Sequence, residues 1–154
     1  QLLDAHGAAL LLYARQWCRA PDDALQEALI DLLRQRPAPD HPVAWLFTTV
    51  RRRALNLARA EDRRARHQGE AAAARPAWFV DEGESPFAPG ELEAMLARLP
   101  QLEREIVIAR IWGELSFEQI AALVARSTSA VHRRYQCAIA MLGSMVEGQL
   151  DKSR

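Results

Sequence analysis

The sequence predicts an all-α protein, and three observations carry that prediction. Apolar residues recur at helical spacing in several stretches, an alternating strand pattern occurs nowhere, and Pro, Gly and Ser stand where helices have to start or stop. The helical stretches fall into two groups on either side of a segment without periodicity. The expected architecture is therefore two small helical domains joined by a flexible linker, the C-terminal one a helix-turn-helix.

In the first group, Leu10, Ala14, Trp17 and Cys18 give the opening stretch an apolar face, and Pro21 marks its end. A second helix is expected from about Asp22 to Gln35, with Leu25, Ala28, Leu29, Leu32 and Leu33 on one face and Asp23, Gln26, Glu27 and Asp31 on the other. Pro37, Pro39 and Pro42 forbid a helix over residues 36–41, which leaves Asp40 or His41 in position to cap the next helix. The third helix starts near Pro42, buries Val43, Leu46, Phe47, Val50, Ala54 and Leu57, and has room to run on into an arginine cluster. From residue 68 to 89 the pattern dissolves into Ala-rich, then Pro-, Gly- and acid-rich sequence, the composition of a tether. Trp78, Phe79 and Val80 inside it are three large apolar residues in a row that seldom stay solvated, so they are expected to dock on something.

After Gly90 periodicity returns. Leu92, Met95, Leu96 and Leu99 share one helix, Pro100 breaks it, Leu102, Ile106, Ala109 and Trp112 share the next, and Gly113 ends that one. Ser116 is placed to cap a helix starting at Phe117, with Gln119 where a capping box has its reciprocal acceptor, and Ile120, Leu123 and Val124 form the buried face. Ser127 repeats the start signal after only Ala125 and Arg126, so the chain stops, turns and begins again, as in a helix-turn-helix. In the second of these helices Ala130, Val131, Ala138 and Leu142 face inward, leaving Thr128, Ser129, His132, Arg133 and Gln136 outside. Short polar side chains ahead of arginine and glutamine suit the reading of base edges. An ordinary helical hairpin with a solvated face is the competing interpretation of this stretch.

Composition excludes several classes. No apolar run reaches bilayer length, and Gln1-Leu2-Leu3-Asp4 lacks the basic flank of a signal peptide, so a cytoplasmic protein without membrane insertion is expected. Cys18 and Cys137 form neither a CxxC pair nor a Cys/His ligand set and are read as reduced and non-catalytic. His6, His41, His67 and His132 lack carboxylate or thiol partners at ligand or triad spacing, and no Gly-rich phosphate loop occurs; no enzyme, metal or cofactor is expected. Net charge is zero, but its distribution is uneven. Arg51, Arg52, Arg53, Arg59, Arg63, Arg64 and Arg66 fall in one short segment, whereas Asp81, Glu82, Glu84, Glu91 and Glu93 cluster further on.

Together these residues resemble the extracytoplasmic-function group of bacterial RNA polymerase sigma factors. Leu99-Pro100, Arg104-Glu105-Ile106, Leu115-Ser116, Glu118, Ile120-Ala121, Ser127, Val131 and Arg134 are similar to the group's domain for the promoter −35 element, a pattern much of which response-regulator effector domains share. Asp23-Ala24-Leu25-Gln26-Glu27 resembles the helix that docks on the clamp helices of the polymerase β′ subunit, and Ala44-Trp45-Leu46-Phe47 with Arg51, Ala54 and Arg59 resembles the −10 element helix. The resemblance implies a polymerase-docking and −10 domain over residues 1–67, a linker over 68–89 and a −35 domain over 90–154. It implies polymerase contacts at Asp23, Gln26 and Glu27, −10 DNA contacts at Arg51, Arg52, Asn56, Arg59 and Arg63, and −35 contacts at Thr128, Ser129, His132, Arg133, Arg134 and Gln136. Arg134 is expected to anchor a phosphate, and a −10 base to flip out near the loop from Pro37 to Pro42. Core polymerase and promoter DNA are the implied partners, with room for an anti-sigma protein as another.

The chain departs from the group's pattern mostly at DNA-contacting positions. Arg52 stands where asparagine is common, Asn56 where aspartate is, Arg133 where serine is, and Cys137 where arginine is. Ala125 replaces the usual turn glycine, so a turn geometry other than the left-handed one is expected there. Two other functions stay open: a helix-turn-helix regulator working without polymerase, and a sigma-like interaction module that binds only protein.

Overall fold

The computed structural model describes residues 1–69 and 90–152, and every regular element among them is an α-helix. The expectations on the segment 70–89, Trp78, Phe79 and Val80 included, lie outside the described residues. The chain divides into two units, Gln1–Ala77 and Trp78–Arg154.

Unit 1 holds α1 (Leu2–Ala14), α2 (Pro21–Arg34) and α3 (Pro42–His67), each packed on the other two. Leu10, Leu12, Tyr13, Leu46, Phe47 and Val50 are fully buried at its centre. The Tyr13 ring lies 5.0 Å from Phe47 and 4.9 Å, edge-on, from Trp17. Helix α1 stops at Ala14 rather than running on toward Pro21. Trp17 and Cys18 therefore belong to the following turn, where Cys18 is still wholly buried and its Sγ–H points at the Ala14 carbonyl, 3.7 Å away. Burial pushes that thiol up to about 11. Pro21 begins α2 instead of ending α1, because proline lacks the N–H that a first helical position leaves unpaired anyway.

Two further corrections concern α2 and α3. Leu33 is 74% exposed; it sits in the last turn, about 80° round the helix from Leu25, and so misses the side that Ala24, Leu25 and Ala28 bury. Leu29, Leu32, Val43, Trp45 and Leu57 are only half-buried. His41 occupies the cap position of α3 without a side-chain cap bond, Pro42 supplying the first turn's geometry. Helix α3 does continue through the arginines, as far as His67.

Unit 2 holds α4 (Glu91–Arg98), α5 (Gln101–Ile111), α6 (Phe117–Val124) and α7 (Thr128–Lys152). Helix α5 is buried from Glu103 to Ala109 on all sides, with α6 and α7 against it. Its Arg104 guanidinium, itself buried, donates to the Leu96 and Leu99 carbonyls at 3.0 and 2.8 Å. A cation thereby satisfies the acceptors that the end of α4 leaves over. Helix α5 ends at Ile111, but the left-handed residue after it is Glu114, φ 55, not Gly113.

The capping box of α6 is complete: the Gln119 N–H donates to Ser116 Oγ at 3.1 Å, and the Ser116 N–H donates to Gln119 Oε1 at 2.9 Å. Ile120, Ala121, Leu123 and Val124 are buried. Ala125, against expectation, does take the left-handed conformation, φ 54 and ψ 51. The Arg126 N–H closes on the Ala121 carbonyl at 3.0 Å, the bond of a Schellman ending, and Leu123 and Val124 hold the helix where it must turn. The left-handed form costs an L-residue about 1–2 kcal/mol, and the greater freedom of glycine in the unfolded chain offsets about half of that. Ala125→Gly is thus expected to stabilise unit 2 by up to about 1 kcal/mol. Thermal denaturation checks it: a rise in Tm supports the geometry, and a fall refutes it.

Candidate nucleic-acid and partner interfaces

In α7 the orientation of every outer side chain follows from two inner ones. Val131 and Ala138 are fully buried, which leaves Ser129, His132, Arg133 and Gln136 exposed on the far side, while Thr128, the first residue of the helix, is exposed at its start. Ala130 and Leu142 are half-buried rather than fully inside. Ser127 Oγ accepts from the Ala130 N–H at 3.2 Å, so the helix starts where the repeated cap signal puts it. Gln136 Nε2 lies 3.5 Å from His132 Nε2, and the His132 ring stands edge-on to Phe117 at 5.1 Å. Arg134 points elsewhere: its Nη1 pairs with Glu103 Oε1 of α5 at 2.5 Å, tying α7 to the buried helix. Sequence reasoning missed Glu103 as its partner, since the two stand 31 residues apart.

In α3, Arg52, Asn56, Arg59 and Arg63 fall at spacings of four, three and four and are all exposed, with Arg66 next in the row. Arg51 is off this stripe and stands over the Trp17 ring, 5.5 Å from its centre. Arg53 faces α2: its Nε donates to Asp31 Oδ2 at 3.0 Å, and its Nη1 lies 3.1 Å from Glu27 Oε2. The hydrogen bond to Asp31 raises the Arg53 pKa further above its ordinary value. Arg52 is the looser neighbour, 3.8 Å from Asp31 and 64% exposed.

Asp23, Gln26 and Glu27 are all exposed on one side of α2, and Ile30 and Leu33 continue the same side. Neither apolar residue is foreseen there by the sequence pattern. The signal lies in Glu27 and Asp31, an acidic i,i+4 pair opposite an arginine cluster, which implies that part of α2 turns toward α3 and part away from it. Among the described residues no group of three His, Cys, Asp or Glu side chains is placed to hold a metal, and no helix is long and apolar enough to cross a membrane.

A helix-turn-helix with an exposed polar recognition face, and a three-helix unit with an arginine stripe beside an acid-and-amide face, define a protein that binds DNA and a protein partner together. Residues 2–64 match sigma-70 region 2, and residues 90–142 match sigma-70, region 4. No curated protein matches the chain. Among solved structures, the chain is similar to the sigma factor RpoE from Bartonella quintana, solved with the anti-sigma factor NepR: TM-score 0.65, 18% identity, 95% of this chain and 94% of that one covered. It is also similar to CnrH, solved with the cytosolic domain of CnrY, with TM-score 0.59, 24% identity and 96% and 86% covered. The chain belongs to the sigma-70 family and is a sigma factor of transcription initiation.

The Arg134 to Glu103 pair yields a prediction that separates stability from DNA binding. The Glu103 carboxylate is only 11% exposed, so Arg134→Ala leaves it nearly buried and without its cation. Thermal unfolding of this variant is expected at a lower temperature than wild type, with Glu103→Gln/Arg134→Ala recovering part of the loss. An unchanged Tm for Arg134→Ala would show that the pair holds nothing in place.

Proposed function

We infer that residues 1–67 dock on the β′ clamp helices of core RNA polymerase and engage the −10 element, that residues 90–154 engage the −35 element, and that 68–89 tether the two. The chain itself carries out no catalysis and works in the cytoplasm. The observation that carries this reading is the set of three outward faces left after each helix has buried its core side: acid and amide on α2, arginine on α3, mixed polar on α7.

On α2, Asp23, Gln26 and Glu27 meet basic groups of the clamp helices, and Ile30 and Leu33 add apolar area that water otherwise covers. Glu27 divides its charge between Arg53 and this partner. On α3, Arg52, Asn56, Arg59 and Arg63 follow the DNA strand, and Arg51, lying off the stripe, reaches it only from the side. A −10 base flips out near the loop from Pro37 to Pro42. On α7, Ser129 contacts the backbone while Thr128, His132, Arg133 and Gln136 reach base edges, Arg133 taking a guanine in bidentate fashion. Arg134, held by Glu103, presents its remaining donors to a phosphate. Both similar structures hold a second protein, in one of them the anti-sigma factor NepR on the sigma factor RpoE, which supports an anti-sigma protein as a further partner of this chain.

Two predictions test the two kinds of face. Asp23→Ala/Gln26→Ala alters α2 without touching the Arg53 pairs, and should abolish capture of core polymerase while the far-ultraviolet circular dichroism stays unchanged. Capture at wild-type level would sink the docking assignment.

For DNA, Arg133→Ser should relax preference at one base position of a randomised −35 library. Arg59→Ala/Arg63→Ala should instead weaken all promoters alike and flatten the salt dependence by roughly 0.9 units of slope for every phosphate no longer neutralised. The roles would be wrong if Arg133→Ser left the selected sequence unchanged, or if the double variant discriminated among promoters.

A further inference from the structure

Phe117 is the first residue of α6, half-buried, and three neighbours hold its ring. The Arg110 guanidinium lies over it, 4.6 Å from its centre, and is itself fixed by a 2.8 Å hydrogen bond to the Leu115 carbonyl. The His132 and Tyr135 rings stand edge-on at 5.1 and 5.4 Å. Together with Glu118, Thr128, Ser129, His132 and Arg133 the ring lines a notch open to solvent between the starts of α6 and α7.

The chemistry of the notch narrows what it can hold. The Phe117 ring and the Thr128 methyl are apolar, Arg133 is among the lining residues, and the charge of Glu118, another of them, opposes any anion drawn in. A phosphate is therefore poorly served, whereas an apolar group projecting from a base edge is well served. In the major groove the four base pairs present one such group, the thymine C5-methyl. We propose that Phe117, Thr128 and His132 read a thymine methyl at the base step next to the one Arg133 contacts, which makes Phe117 a specificity-determining residue although it is not on the recognition helix. The inference rests on α7 being the −35 recognition helix.

The test uses the full chain bound to core RNA polymerase and the duplex selected from a randomised −35 library. Each thymine is replaced singly by deoxyuridine, which removes the methyl and leaves the hydrogen-bonding edge intact. One replacement, beside the position that Arg133→Ser relaxes, should raise Kd about fourfold, the ratio that burying one methylene-sized group supplies. Thr128→Ser removes a single exposed methyl and keeps the hydroxyl, and Phe117→Leu keeps apolar bulk beneath Arg110 and Tyr135; each should reduce that penalty to less than about twofold. Selective binding indifferent to deoxyuridine at every position, or a penalty that survives in both variants, overturns the methyl reader and leaves the −35 reading standing. Absence of any sequence-selective binding overturns both.

Discussion

The rotation of the two long helices about their own axes is the constraint on which everything else in the molecule depends. Helices α3 and α7 each bury one narrow stripe, Leu46, Phe47, Val50 and Ala54 in the first and Val131 and Ala138 in the second. With 100° between successive residues, those few contacts decide which side chains are left for a partner. Removing Phe47 or Val131 would thus do more than open a cavity, because it would release the register that keeps Arg59 or Arg133 outside. The buried helix α5 is the counterpart in unit 2. It is covered on all sides, and it fixes α4 through Arg104 and α7 through Glu103.

Charge is used in two ways that the zero net sum conceals. Arg53, Arg104 and Arg134 are committed inside their own units, to Asp31 and Glu27, to the carbonyls at the end of α4, and to Glu103. Arg52, Arg59 and Arg63 stay exposed. A neutral protein can in this way carry a locally basic stripe, since the long-range field is small while contacts within a Debye length of about 8 Å remain strong.

How much of this was legible in the sequence depends on how far apart the interacting residues stand. The helix-turn-helix was readable because Ser116 and Gln119, or Ser127 and Ala130, act within one turn. The end of α1 was not, because Trp17 and Cys18 continue the apolar pattern from a turn, and burial alone does not distinguish a turn from a helix. Ala125 shows local preference losing to packing: the left-handed form is unfavourable for alanine, yet Leu123, Val124 and Val131 must all reach the same core across two residues of turn. Leu33 misleads in the opposite direction: it continues the apolar spacing of Leu25, Leu29 and Leu32 in the sequence, yet lies about 80° round the helix from Leu25, off the side that α2 buries. Pairings such as Arg53 with Asp31 or Arg134 with Glu103 leave no trace in spacing at all.

The difference between Arg52 and Arg53 shows how adjacent residues of one type come to have different work. Both approach Asp31, but Arg52 does so at 3.8 Å with most of its side chain in water. Exposed pairs of that kind contribute about 0–1 kcal/mol, less than a well-aligned charge-assisted hydrogen bond, so Asp31 holds Arg52 only weakly and leaves its guanidinium free to take another partner. Arg53 directs two nitrogens at Asp31 and a third at Glu27, and both it and Asp31 are largely covered. Extracting it would leave Glu27 and Asp31 one turn apart on α2 with only the looser Arg52 near Asp31. Arg53 therefore stays with the fold, holding α2 against α3, and the division of the arginine cluster into structural and solvent-facing members follows from where the helix rotation aims each one.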